Sequence, residues 1–325
     1  MATNSTERKI TRGICEDFAE AFKKSELYHL YQNHKNELFL GVRNNRLNLY
    51  YNCDSIASIE YRKRSKDIVC EINRYYLYDE GKSDERIEPT QICERYETIK
   101  NNSDKKRSDE KKAQSKLTLL NNNNHNSNWL CVDVEYVKSF KNQTEKSKLG
   151  FNARFDIIAL SKEKPHRVAF IELKYGSGAI GGDSGIYKHI EDFCDFSEKG
   201  FFESHLKQKI IEIIESKKRL GIEVPFELPT IDEISSKPEF YFITLNNNPT
   251  KENGSTPKQT MAGYLFKEKR WDCSRLTKGK CVETDFGDVT NRDNKKFHAT
   301  FLFSEQTLEK GITINDILDE KFYQK

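Results

Sequence analysis

The 325-residue chain has no run approaching the roughly 18 apolar residues of a membrane-crossing helix, so no transmembrane segment is expected. Its first residues, MATNSTERKITRG, lack the apolar stretch of a secretory signal, and the expected address is the cytoplasm. No Cys-x-x-Cys pair occurs. The eight cysteines, at 15, 53, 70, 93, 131, 194, 273 and 281, are scattered, and several lie in apolar strand-like runs where a buried reduced thiol is the usual occupant. Neither a disulfide framework nor a structural zinc site is expected. Charge of one sign is also missing: 54 Lys and Arg face 51 Asp and Glu, a net charge of +3. Any basic footprint for a polyanion must therefore be local. No internal repeat is visible.

Aromatic residues are plentiful, at 11%, which excludes global disorder. At roughly 150 residues per domain, the length suggests about two domains. Residues 13–31 carry Ile14, Phe18, Ala21, Phe22 and Leu30 at near-helical spacing and predict one amphipathic helix. Residues 37–78 contain short β-branched and aromatic runs separated by RNNR and RKRSKD, the pattern of an antiparallel meander. Between about 99 and 128 the composition turns charged, then becomes the low-complexity run NNNNHNSN. The boundary falls here, with an N-terminal α+β domain over 1–105 and a second domain over 106–325. The first carries no visible catalytic constellation and is expected to serve recognition or oligomerisation.

From Trp129 the patterning sharpens. WLCVDVEYVKSF alternates, with Leu130, Val132, Val134 and Tyr136 on one face and Asp133 and Glu135 on the other. ARFDIIAL and RVAFIELKYG flank SKEKPH as an expected hairpin. The glycine-rich loop GSGAIGGDSG then precedes two expected helices, IYKHIEDFCDF and FFESHLKQKIIEIIESKKRLGI. EFYFITL, AGYLF and HATFLF read as further strands. The expected class is α/β: a mixed β-sheet flanked by helices, preceded by the α+β unit.

The informative constellation is Asp156 in one strand and Glu172-x-Lys174 in the next. Residues i and i+2 of a strand share a face, so Glu172 and Lys174 project together while Ile171 and Leu173 can be buried. Unpaired charge inside a domain is costly. A hard divalent cation and a polyanionic substrate would account for this group, and carboxylate oxygens suit Mg²⁺ or Mn²⁺. The tripeptide Glu-x-Lys also begins at Glu7, Glu80, Glu110 and Glu215. Only the one at Glu172 ends an apolar strand that follows another carrying an embedded Asp.

FDIIAL, IELKYG and the helix IYKHIEDF resemble the PD-(D/E)xK nuclease superfamily, the restriction-endonuclease-like fold, over roughly residues 125–245. The resemblance implies a Mg²⁺- or Mn²⁺-dependent phosphodiesterase acting on nucleic acid, DNA favoured over RNA, by in-line attack of an activated water. It implies Asp156 and Glu172 as metal ligands with the Leu173 carbonyl beside them, and Lys174 as the catalytic lysine. Glu135 is the candidate for the earlier acid, with Asp133 and Glu110 as rivals. His189, which shares a helix face with Asp192, is the candidate flanking residue. Phe155 stands where the eponymous proline would be. Nucleases of this kind often serve restriction or phage defence, and a homo-oligomer and an activating partner or effector stay open. No membrane partner is expected.

Three other readings compete. Lys174 could form an ordinary sheet-face ion pair with a carboxylate. The fold could be kept as a non-catalytic nucleic-acid or protein-binding module, or the site could hydrolyse another phosphate-containing substrate. Lys207, Lys209, Lys217, Lys218 and Arg219 could track phosphates, but the interspersed Glu203, Glu212 and Glu215 favour a solvated face.

Overall fold

Period-two burial builds the first sheet. In the computed structural model, residues 12–106, 109–137, 154–176, 185–247, 271–272, 277–278, 284–291, 293–305, 307 and 318 are described. The chain divides into two compact units, Met1–Lys106 with Lys207–Ile231, and Arg107–Leu206 with Asp232–Lys325. The architecture is α/β, with an antiparallel sheet in the first unit and a mixed sheet in the second. Among the described residues no helix is long and apolar enough to cross a membrane.

In the first unit, α1 (Glu16–Lys23) and α2 (Glu26–Asn33) precede β1 (Leu38–Arg43), β2 (Arg46–Tyr51), β3 (Asp54–Arg62) and β4 (Asp67–Asn73). After these come α3 (Arg74–Tyr78), β5 (Asp84–Ile87), α4 (Pro89–Glu94) and α5 (Tyr96–Lys105). The five strands pair in sequence order. In β4 the inward positions Ile68, Cys70 and Ile72 alternate with partly exposed ones. The β1–β2 turn is two residues long, with Asn45 at φ 51°, a left-handed conformation that asparagine tolerates. At Gly41 an added Cβ would lie 2.7 Å from the Tyr50 ring, so a larger residue there would have to displace that side chain.

Three expectations are corrected in this unit. The single helix over 13–31 is two, because Ser25 breaks and restarts it. Its hydroxyl donates to the Phe22 carbonyl at 2.6 Å and accepts from the Tyr28 amide at 3.4 Å, an N-cap. Residues 74–78 are helical instead of extended, because the Asn73 side chain accepts from the Tyr75 amide and caps α3. The helix expected over 201–222 is a π-helical stretch, Phe202–Leu206, followed by an α-helix, Lys207–Arg219. The sequence boundary assigns this helix to 106–325, yet it packs in the first unit. Ile213 and Leu220 join this unit's core, Lys217 Nζ donates to the Leu40 carbonyl at 3.1 Å, and Arg219 donates to the Ile14 carbonyl at 2.9 Å. These interactions, with the burial of Lys207 and Lys217, give the basic helix a packing role.

In the second unit, α6 (Asp109–Asn122) leads into β6 (Trp129–Val137), β7 (Arg154–Ser161) and β8 (Val168–Tyr175). Next come α7 (Ile186–Glu198), α8 (the Lys207–Arg219 helix of the first unit) and β9 (Glu239–Leu245). The later strands are β10 (Trp271–Asp272), β11 (Thr277–Lys278), β12 (Thr284–Asn291) and β13 (Lys296–Phe303). The described order is β10-β12-β13-β9-β8-β7-β6, with β11 beside β12. β9 runs parallel to β8 and β13, whereas β6–β7, β7–β8 and β12–β13 are antiparallel. The strand expected at AGYLF and residues 177–184 of the glycine-rich loop lie outside the described residues.

Two apolar layers sandwich this sheet. One joins Ala113 and Leu117 of α6 to Cys131, Ile157, Ile171, Leu173 and Ile243. The other is a phenylalanine layer: Phe155 stacks on Phe170 at 4.2 Å, meets Phe193 and Phe196 of α7 at 5.1 Å, and Phe242 stacks on Phe301 at 5.0 Å. The asparagine run is not plain loop. Asn121 and Asn122 end α6, and the Asn122 amide donates to the Cys131 carbonyl at 3.0 Å and accepts from the Cys131 amide at 2.8 Å. A side chain thus occupies hydrogen-bonding positions on β6, the last strand in the described order.

Candidate active site

The β7–β8 ladder stops short of its end, and the site lies at that opening. Paired positions run from Leu160↔Val168 to Ile157↔Ile171. Asp156 and Glu172 come immediately beyond the last pair. The Leu173 amide, instead of joining β7, donates to Asp156 Oδ2 at 2.8 Å. In a strand the N–H and C=O of one residue point to the same edge, so the Leu173 carbonyl faces the same opening. Its side chain lies in the core with Ile171.

Glu172 and Lys174 share the other face of β8 and are nearly sealed, at 2% and 3% exposure. Lys174 Nζ donates to Glu172 Oε1 at 2.7 Å and lies 3.5 Å from Glu110 Oε1. Glu110 reaches the lysine from the first turn of α6. From α7, His189 Nε2 stands 3.1 Å from the same Glu172 Oε1. Asp192, its partner on the helix face, is instead tied to Lys188 at 2.6 Å.

Two of the candidates for the earlier acid, Glu135 and Asp133, lie in different settings on β6. A register shift between Cys131 and Asp133 bulges β6, and Glu135 takes φ 50°, an uncommon conformation for a non-glycine residue. Its neighbours Val134 and Tyr136 pair with Ile157 and Phe155, which frames Asp156 across the ladder. Negative charge at Glu135 raises the pKa of both Asp156 and Glu172, so it stands within electrostatic reach of them. Asp133 is fully buried and its carboxylate accepts from the Val134 amide at 3.0 Å.

Electrostatics follow from burial. Burial, then repulsion from Glu172, holds Asp156 well above the usual carboxylate range, against the pull of Lys174 and the Leu173 amide. Burial pushes Glu172 up to about 7, although Lys174 opposes it. Burial alone would lower Lys174, but Glu172, Asp156 and Glu110 outweigh it, and its pKa is raised. The lysine is thus a firmly held ammonium, while its acid partners are drawn toward the neutral form.

Among the described residues no three His, Cys, Asp or Glu side chains are grouped closely enough to cage a metal ion by themselves. What the opening offers is a pair of carboxylates and a backbone carbonyl. Such a donor set suits a cation that keeps several waters, and not one enclosed by protein.

Glu110, one of the rival acids, approaches Lys174 from a distant element. Its approach to Lys174 spans 64 positions and leaves no local spacing signal. Phe155, the residue before Asp156, anchors the phenylalanine layer. No family model matches the chain, and neither any curated protein nor any solved structure matches it.

Proposed function

We propose that the second unit is a metal-dependent nuclease of the PD-(D/E)xK, restriction-endonuclease-like kind, hydrolysing phosphodiester bonds with DNA favoured over RNA. The observation that carries this reading is the buried Asp156–Glu172–Lys174 group at the open end of the β7–β8 hairpin. Two carboxylates held above their usual range by burial, with Glu172 also raising Asp156 and with Glu110 and Glu135 also raising Glu172, are short of positive charge. Asp156, Glu172 and the Leu173 carbonyl, with Glu135 as the next acid, are hard oxygen donors suited to Mg²⁺ or Mn²⁺. When bound, such a cation supplies Lewis-acid activation of water and neutralises developing charge.

The chain's own residues do the remainder. Lys174, an ammonium at neutral pH, orients the attacking water and stabilises charge building on the phosphoryl oxygens; it is not a general base in this state. His189 contacts the same Glu172 oxygen as Lys174 and helps to hold the carboxylate. In-line attack leaves a 5′-phosphate and a 3′-hydroxyl. Restriction or phage defence, in the cytoplasm, is the context in which such a chain would act.

The close Lys174–Glu172 pair favours one second reading, a binding module that retains the fold without turnover. Plasmid, linear and single-stranded DNA and RNA are incubated with Mg²⁺, Mn²⁺ or EDTA, using wild type and Lys174→Ala. The nuclease reading expects metal-dependent cleavage that falls about 10²–10³-fold in the variant while binding persists. Binding without turnover in any condition selects the second reading.

A further inference from the structure

The first unit carries a hairpin tip whose charge the fold leaves unbalanced. β3 and β4 are joined by Lys63, Arg64, Ser65 and Lys66, all exposed, as is Arg62 at the end of β3. Arg62 is paired with Asp67 at 3.1 Å. Lys63, Arg64 and Lys66 form no ion pair among the described residues. Elsewhere in this unit some exposed cations are matched, Arg74 with Glu85, Lys105 with Asp79 and Arg46 with Glu60. Lys24, Lys35, Lys82 and Arg86 stand exposed without an ion pair among the described residues, but they are not gathered on one turn as Lys63, Arg64 and Lys66 are.

The loop is also held in shape. The Lys66 amide donates to the Arg62 carbonyl at 2.8 Å, and Lys66 takes φ 55°. The Ser65 hydroxyl donates to Asp67 Oδ1 at 2.5 Å, and Arg62 Nε donates to the same oxygen at 3.1 Å. Three cations are therefore presented on a preorganised turn, which lowers the ordering cost of binding. In a meander the β1–β2 and β3–β4 turns lie at the same end of the sheet, so the Asn44–Asn45 turn stands beside this tip.

We propose that the β3–β4 tip contacts the phosphate backbone of duplex DNA, with Lys63, Arg64 and Lys66 as the contacting residues. The identity of the polyanion rests on the nuclease reading of the second unit. A two-stranded ribbon fits the B-form major groove, whereas the A-form major groove is too narrow to admit it. Each phosphate neutralised contributes about 0.9 to the salt dependence of the association constant.

The test is fluorescence anisotropy of a labelled DNA duplex in EDTA across a salt series. It compares wild type, the triple variant Lys63→Ala/Arg64→Ala/Lys66→Ala, the charge-keeping Lys63→Arg/Lys66→Arg, and Lys105→Ala as a paired-cation control. The triple variant is expected to bind roughly 10–100-fold more weakly, with the salt slope reduced by about 2–3. The charge-keeping variant and the control should retain the wild-type slope. Unchanged slope in the triple variant, no binding by wild type, or tighter binding of an RNA duplex overturns the proposal. Metal-dependent cleavage, measured on the same preparations, separates the two readings. Wild type that binds through the tip without cleaving removes the nuclease reading alone, and cleavage with an indifferent tip removes this one alone.

Discussion

Replacing Glu172 by Gln should change how the stability of the protein depends on pH. The carboxyl is 2% exposed, and burial raises it from 4.5 to about 7 in the folded chain. A carboxyl whose folded pKa is raised stabilises the fold while protonated. That contribution is fully present below about 4.5 and is lost as pH climbs through about 7. A rise of about 2.5 units corresponds to about 3 kcal/mol at about 1.36 kcal/mol per unit. Asp156 is shifted in the same direction, and part of its rise comes from Glu172, so the substitution relieves both. Chemical denaturation from pH 4.5 to 7.5 should show the variant gaining about 3 kcal/mol on wild type across that window. Parallel stability curves for the two proteins would refute the argument that Glu172 is a desolvated acid.

Two further substitutions test the scaffold. Phe170→Ala removes a ring that stacks on Phe155 at 4.2 Å and meets Phe196 edge-on at 5.4 Å, and should cost about 3–5 kcal/mol in denaturant midpoint analysis. Asn122→Ala leaves both Cys131 backbone groups without their side-chain partner and should cost about 2 kcal/mol, with faster hydrogen exchange at the Cys131 amide.

Local patterning made much of the fold legible. The alternation at Ile68, Cys70 and Ile72 and the two apolar runs around SKEKPH specified strands, pairing and turn positions directly. Side-chain capping defeated the same reasoning elsewhere. Ser25 and Asn73 restart the chain as helix where apolar spacing alone predicted continuity. Tertiary packing defeated it for Lys207–Arg219, whose amphipathic pattern cannot say which core receives Ile213 and Leu220. At the site, Asp156, Glu172 and Lys174 were legible because strand parity and a neighbouring apolar run constrain them. The different settings of Glu135 and Asp133 were not, because they turn on a β-bulge and one left-handed residue. Nor was the approach of Glu110 to Lys174, which depends on how α6 lies along β8.

The central claim is that the paired acids of the β7–β8 opening form a divalent-cation site. Titration calorimetry with Mn²⁺ tests it most directly, on wild type and on Asp156→Asn/Glu172→Gln. The account predicts saturable binding by wild type that tightens as pH rises through about 7, where Glu172 ionises, and that is lost in the double variant. No saturable binding to wild type, or equal binding to both proteins, would contradict it.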